Sequence, residues 1–325
     1  MATPNSSVNE IIVTTLKKRG PKIFDSVKKN NGIYNALDEA GSIESCDGGE
    51  TIFEPIEFAE NGTFSWYDGY DTLDISPQEV LTAAEYNWKF CAAALSISGP
   101  EMLKNSGSSR LFSLIKARQK NVETTLENQL CTGIYSDGTG YGGKQMEGLQ
   151  KLIPDDPTTG TVGGISLSAN SWWQTKKYSG VTDGGAAVSS ANIQSCMRKI
   201  WLQIVRGSEK DYTIAADNNF YGLYWESLTA IQRISSDTEA QAGFQRLRYQ
   251  GSKVVYDGGY GGACPANHMY FINAPSFKVR YHKDRNMEVF GGERQSVNQD
   301  AIVKILGWAG NATRSSGFNH AVLIA

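Results

Sequence analysis

Gly138-Thr139-Gly140-Tyr141-Gly142-Gly143 matches G-x-G-x-x-G, a spacing that lets backbone approach a pyrophosphate when it joins a strand to a helix. Here a helical pattern precedes it and the flanks read as loop, so no nucleotide site is expected. Ser113 and Lys116 are spaced as S-x-x-K, but no S-D-N or K-T-G element accompanies them, and both fall inside a long helical pattern. His268, His282 and His320 are isolated, without H-E-x-x-H or the paired cysteines of a zinc site; they read as solvated or structural. Asp68, Asp71 and Asp74 recur every third residue, which is not the spacing of an EF-hand loop. A fortuitous ion site at an interface stays open there. Trp172-Trp173 could stack on a sugar, although buried aromatics are the commoner use. None of these makes an active site: no catalytic residue, cofactor or metal is expected.

The elements that would position such groups are mixed. Ser7 and Glu10 fit a capping box, and Val8, Ile11, Ile12, Thr15 and Leu16 form one stripe of a helix over 7–19 that Gly20-Pro21 ends. A long helix is predicted from Ser108 or Ser109 to Gly133, with Leu111, Leu114, Ile115, Val122, Leu126 and Leu130 on one side; it would be roughly 36 Å long. Another runs from Ala191 to Arg206, with Ile193, Met197, Ile200, Trp201 and Ile204 buried. Asp211–Ala216 reads as a strand and 218–232 as a helix. Strands then dominate: Phe244–Gln250, Val254–Tyr256, Met269–Asn273, Lys278–His282, Ala301–Trp308 and Ala321–Ile324. Helices and strands in separate blocks make this an α+β chain. Its 325 residues suit two domains or one elaborated domain.

A formal net charge of −3 argues against a dedicated DNA-binding module. No apolar stretch is long enough to span a bilayer, the N-terminal residues do not read as a signal peptide, and the five scattered cysteines are expected to be reduced thiols. Charge placement says more. Residues 47–88 hold ten acidic side chains and no Lys or Arg, whereas 17–29 carry Lys17, Lys18, Arg19, Lys22, Lys28 and Lys29 against Asp25. Lys104, Arg110, Lys116, Arg118 and Lys120 add a basic start to the long helix. Either the two surfaces only keep the protein soluble, or the acidic segment docks on the basic surface of another copy, with charge setting register.

That acidic segment contains Asn61-Gly62 between strand-forming runs, the strongest short-range hairpin signal. A turn there would pair Phe58 with Ser65, Glu57 with Trp66 and Ile56 with Tyr67. It would place Ile56, Phe58 and Tyr67 on one face and Phe64 and Trp66 on the other. Pro55 is tolerable because both strands of a ribbon are edges. Such a ribbon is marginal alone and needs a surface.

The order of parts resembles the tailed-bacteriophage major capsid protein, with the Hong Kong-97-type fold shared by the floor domain of herpesvirus capsids. GYDTLDISPQEVLTAAEYNWK (69–89), GLQKLIPDDPTTGTVGGISLSANSWWQ (148–174), MYFINAPSFKVRYHKDRNMEV (269–289) and VNQDAIVKILGWAGN (297–311) are similar to phrases from one branch of that family. The resemblance implies an N-terminal arm (1–45), an extended β-hairpin loop (46–88) and a peripheral domain with its spine helix (89–135). An axial domain (136–275), peripheral return strands (276–304) and axial closing strands (305–325) complete the set.

It further implies a structural protein, not an enzyme: hexamers and pentamers of itself closing an icosahedral shell around packaged double-stranded DNA. Assembly would occur in the bacterial host cytoplasm and the product would be a virion, with no membrane. The expected partners are portal and scaffolding proteins, with a decoration protein as an option. The ribbon would lie across a neighbouring subunit. Its contact residues would be Ile56, Glu57, Phe58, Phe64, Trp66 and Tyr67; those of the basic surface would be Lys17, Lys18, Arg19, Arg110, Lys116 and Arg118. The family prototype's covalent cross-link needs a lysine in the extended loop, and none lies between Asp47 and Trp88, so non-covalent stabilisation is expected. An encapsulin-like compartment, holding a cargo protein, is the alternative.

Overall fold

The computed structural model describes residues 32–104, 108–206, 211–228, 247–258, 262–295 and 300–325; the helix expected over 7–19 lies outside them. In chain order, α1 (Gly32–Glu39) leads to β1 (Ile43–Cys46), and β2 (Ile52–Glu57) pairs with β3 (Leu81–Tyr86) as a two-stranded ribbon. Then come β4 (Lys89–Ser98), α2 (Gly99–Lys104) and the long α3 (Ser108–Ile134). A small hairpin of β5 (Thr161–Val162) and β6 (Ile165–Ser166) precedes β7 (Lys176–Ser179) and α4 (Ile193–Ile204). After β8 (Tyr212–Ala216), α5 (Asn218–Ser227) starts at Asp217, whose carboxylate accepts from the Phe220 N–H and caps the helix. The remaining strands are β9 (Leu247–Tyr249), β10 (Ser252–Tyr256), β11 (His268–Asn273), β12 (Phe277–Gln295), β13 (Ala301–Arg314) and β14 (Ala321–Ile324).

Two sheets carry the fold. One has six strands in the order β7-β14-β11-β8-β10-β9, and the other has four, β1-β12-β13-β4. Strand alternation divides the six-stranded sheet into two apolar faces. Met269, Phe271, Ile214, Ala216, Ala321 and Leu323 pack under α4 and α5. Tyr270, Ile272, Ala215 and Val322 face the other way and join a second core. That second core also takes in Ile33 and Leu37 of α1, Leu126 and Ile134 of α3, and Leu306 and Trp308 of the four-stranded sheet. The ribbon contributes Ile52, Ile56, Ala84 and Tyr86 to it.

The long helix forms, with Leu126 buried and Val122 and Leu130 packed against the core, and α4 buries the five residues expected of it. Lys278–His282 and Ala301–Trp308 prove to be parts of the longer β12 and β13, paired across three register shifts. The boundary expected between 304 and 305 lies inside β13, which belongs wholly to the four-stranded sheet.

The hairpin expected to close at Asn61-Gly62 does not form. β2 pairs instead with β3, setting Ile56 opposite Thr82 and Glu57 opposite Leu81. Neither Asn61 nor Gly62 has the positive φ that a type I′ turn requires. The Asn61 Oδ1 accepts from the Thr63 N–H at 3.0 Å and from its hydroxyl at 2.8 Å, a local turn that competes with a ladder. The distant pairing wins because it buries Ile52, Ile56, Ala84 and Tyr86 in the core, whereas the nearer one would bury nothing of Phe64 or Trp66.

The base of the ribbon is fixed on three sides. The Glu54 carboxylate, 5% exposed, lies 2.8 Å from the Arg280 Nε and accepts from the Thr313 hydroxyl at 2.7 Å. The Glu85 N–H donates to the Gly163 carbonyl at 3.0 Å. Gly163 has φ +58°, and a Cβ there would come within 2.7 Å of the Ala84 methyl, so only glycine fits. The Tyr86 hydroxyl donates to the Arg314 carbonyl at 3.0 Å and accepts from the Arg314 N–H at 3.3 Å. The Arg314 guanidinium is fully buried, lies 4.6 Å from the centre of the Trp173 ring, and donates to the Leu152 and Trp173 carbonyls. Burial draws its pKa down to about 10, so it stays charged at neutral pH.

Near it, His320 is fully buried, accepts from the Asn273 N–H through Nδ1, and meets the Ser276 hydroxyl through Nε2. Burial and the Arg314 charge hold its pKa down to about 3. The unfolded chain therefore binds a proton between about pH 6.5 and 3 that the folded one refuses, so folding stability falls as pH falls through that window. Thermal melting from pH 7 to 4 should show this loss, and His320→Gln should flatten the slope. Arg314→Ala strands two buried carbonyls and should cost about 3 kcal/mol in urea unfolding.

Candidate inter-subunit surface

Beyond its anchored base the ribbon opens into a loop, 58–80, with almost nothing of the described residues against it. Phe58 alone turns inward, packing on Trp172 with ring centres 5.4 Å apart. Phe64 is 75% exposed, Trp66 92% and Tyr67 67%. Tyr70, Leu73 and Ile75 are exposed as well. The Phe64 and Trp66 rings stand edge to face at 5.7 Å. Local hydrogen bonds hold the loop's shape: Asp71 accepts from the Asp68 N–H, and Asp74 accepts from the Ser76 N–H. The latter bond draws the Asp74 pKa below the usual carboxylate value. The three aspartates read as a possible ion site thus serve as turn caps. A loop of bare aromatics and carboxylates is costly in water and suited to burial against a complementary surface.

The predicted contact residues divide accordingly. Phe64, Trp66 and Tyr67 project outward, and Glu57 is exposed on the outer side of β2 beside Leu81. Ile56 is only 6% exposed, spent inside its own core, and Phe58 is half-covered by Trp172. Lys17, Lys18 and Arg19 lie outside the described residues, as do the side chains of Arg110 and Lys116 on α3. Arg118 is engaged within its own chain. It donates to Glu101 at 2.5 Å and to the Ser96 carbonyl at 2.6 Å. This pairing, with a bond from the Ser98 N–H, holds the Glu101 pKa down to about 2.

Sequence reasoning missed Tyr70, Leu73, Ile75 and Phe90. The expected tight hairpin left no room for a loop that long. The strand β4 went unread because its run of alanines has little strand propensity. Phe90 is 62% exposed on that strand, beside exposed Ala92 and Ala94.

Among the described residues, the titratable groups that come together are committed to structural contacts. Cys264, His268 and Asp155 come near one another, but both His268 nitrogens are committed, Nδ1 to the Ala266 carbonyl and Nε2 to Asp155. Burial pushes the Cys264 thiol well up, so it is no nucleophile at neutral pH. Burial likewise raises Asp257 and the phenols of Tyr135 and Tyr270 beside it. Trp173 is buried beneath Arg314 with its Nε1–H on the Val162 carbonyl, which leaves no open face for a sugar. The G-x-G-x-x-G run forms a left-handed turn at Tyr141 and Gly142, not the strand-to-helix junction a nucleotide needs. All five cysteines are free, and no helix among the described residues is long and apolar enough to cross a membrane. Among those residues no cluster of three His, Cys, Asp or Glu side chains could hold a metal.

No family model and no curated protein matches the sequence. Solved structures do. The capsid of cyanophage A-1(L) superposes with a TM-score of 0.66 over 90% of this chain and 91% of that one, at 15% identity. The capsid of a native GTA particle gives 0.61 over 89% of each chain at 10% identity. A structure from Mycobacterium phage Bobi gives 0.53 over 89% of each at 11% identity. These likenesses run over about nine tenths of each chain. The chain has the Hong Kong-97-type capsid fold.

Proposed function

We propose that this chain is the shell subunit of a tailed double-stranded DNA bacteriophage, assembling with itself as hexamers and pentamers into an icosahedral container for the genome. One observation carries the reading: a ribbon locked at its base carries a loop whose largest apolar side chains find no cover in their own chain. A lone copy leaves that loop in water; a neighbouring copy can bury it. In this reading 46–88 is the extended loop, α3 is the spine helix, and the six-stranded sheet belongs to the axial domain. The same reading places the assembled protein in the virion, with portal and scaffolding proteins as its assembly partners.

The loop has no lysine, so stabilisation is non-covalent. Exposed ion pairs contribute about 0–1 kcal/mol each, while fully burying an aromatic side chain contributes about 2–3 kcal/mol. Aromatic burial therefore dominates, and the ten acidic groups mainly select the partner surface.

Purified protein examined by electron microscopy should form closed particles tens of nanometres across, and particles from infected or expressing cells should hold nucleic acid. Particles filled with a single enzyme would favour the compartment reading, and a monomer at all concentrations would end both. Trp66→Ala and Phe64→Ala should lower the temperature at which shells fall apart more than Glu57→Ala does. Heat and osmotic shock of the three variant shells gives the ranking.

A further inference from the structure

The chain has two Asn-Gly pairs, Asn31-Gly32 and Asn61-Gly62. In such a pair the second nitrogen can reach the asparagine side-chain carbonyl, because glycine has no Cβ to shield it. The structure treats the two glycines in opposite ways. Gly32 opens α1 and is packed in: a Cβ there would lie 2.7 Å from the Val255 side chain and 2.9 Å from the Tyr256 carbonyl oxygen. Its nitrogen is not free to swing. Asn61 and Gly62 are both exposed in the loop. Gly62 has no positive φ, and a Cβ there would meet only the Gln78 side chain, no closer than 3.4 Å.

The Asn61 oxygen is what sets this pair apart. Oδ1 accepts from the Thr63 N–H at 3.0 Å and from the Thr63 hydroxyl at 2.8 Å. The first bond closes a small ring of atoms that contains both the Asn61 Cγ and the Gly62 nitrogen, so the two reacting atoms are held near each other. Both donors also point at the oxygen on which negative charge gathers when a nitrogen adds to Cγ. One threonine thus supplies the two donors of an oxyanion hole. Asn311, by contrast, is fully buried, with Nδ2 donating to the Asn87 carbonyl and Oδ1 accepting from the Glu147 and Ala312 N–H groups; it is out of reach of water. At Asp68-Gly69 the Gly69 N–H donates to the Asp68 Oδ1 at 2.8 Å, but an anionic carboxylate is a poor electrophile.

We propose that Asn61 is a self-modification site, converted by its own loop and water into aspartate and isoaspartate. The Gly62 nitrogen gives its proton to a solvent base and bonds to the Asn61 Cγ. The Cγ–Nδ2 bond breaks, and Nδ2 takes a proton from solvent and leaves as ammonia. A cyclic imide remains. Water opens it by cutting the Gly62 nitrogen from Cγ, which gives aspartate, or from the Asn61 backbone carbonyl carbon, which gives isoaspartate. Nothing is oxidised or reduced: an amide and a water become a carboxylate and ammonium. The step needs no second copy and goes beyond the shell reading. Each conversion adds one carboxylate to the ten of 47–88. The isoaspartate form also routes the main chain through the side-chain carbon and dissolves the Thr63 turn.

Full-length protein, folded or in urea, is held at mildly alkaline pH and sampled over days. Fragmentation of the tryptic peptide 30–89, which carries both pairs, reads the amide-to-acid mass gain at each asparagine, and isoaspartyl methyltransferase labelling reads the isoaspartate. Asn61 should convert several-fold faster in the folded protein than in urea, and Asn31 several-fold slower. Thr63→Val keeps the N–H and the Asn-Gly pair but loses the hydroxyl; it should slow Asn61 by about tenfold, less than a buried oxyanion hole because the site is in water. Gly62→Ala, which the backbone accepts, should slow it at least as much. Conversion of Asn61 no faster folded than in urea overturns the proposal, as does folded Thr63→Val reacting at the wild-type rate. Should a variant not fold, the folded and urea-treated wild type decide alone. Failure of the protein to form particles would remove the shell reading and leave this result untouched.

Discussion

A guanidinium with no carboxylate beside it is the constraint on which the rest of the molecule turns. Arg314 ends β13, and its side chain is wholly out of water. Its charge is met by two backbone carbonyls and the face of Trp173. Removing a cation from water is costly, so the arrangement persists only while every partner stays in place. Those partners come from separate parts of the chain: the helical turn at Leu152, the segment at Trp173, and, through the Arg314 backbone, Tyr86 at the foot of the ribbon. The four-stranded sheet, the segments at Leu152 and Trp173 and the ribbon are therefore tied together at this joint. A projecting element is useful in an assembly only if its direction is fixed, and this joint, with Glu54–Arg280 and the Gly163 contact, fixes it.

Much of this was legible in the residues. The apolar stripe of the long helix and the alternation of the late strands follow from periodicity, which reports burial directly. The charge separation between 17–29 and 47–88 was equally plain. What could not be read was pairing at a distance. Asn61-Gly62 carries a strong local signal, yet the strand opposite Ile56 lies at Thr82. The choice between them rests on which pairing reaches the core, and no window of the sequence contains that core. The same limit hid Arg314, whose role is set by carbonyls far away along the chain. It also hid β4, where Ala92, Ala93 and Ala94 give no pattern of alternation because small residues satisfy buried and exposed positions alike.

In the function proposed above, the loop would let a subunit hold back from its neighbours until it is placed. Its aromatic side chains are exposed, and the acidic residues among them would repel the same loop of another copy. Apolar area supplies most of the attraction, whereas charge and backbone direction decide where contact forms. Division of labour of this kind favours one register over many of similar area.

One small feature has reach beyond its size. The Arg118–Glu101 pair closes the last part of the β4 edge, and its two members sit on different helices: Glu101 on α2 and Arg118 on α3. Sliding or bowing of α3 against the sheet would draw the guanidinium off Ser96 and uncover its carbonyl on the outer edge of β4. The uncovered length of that edge is therefore geared to the posture of the helix.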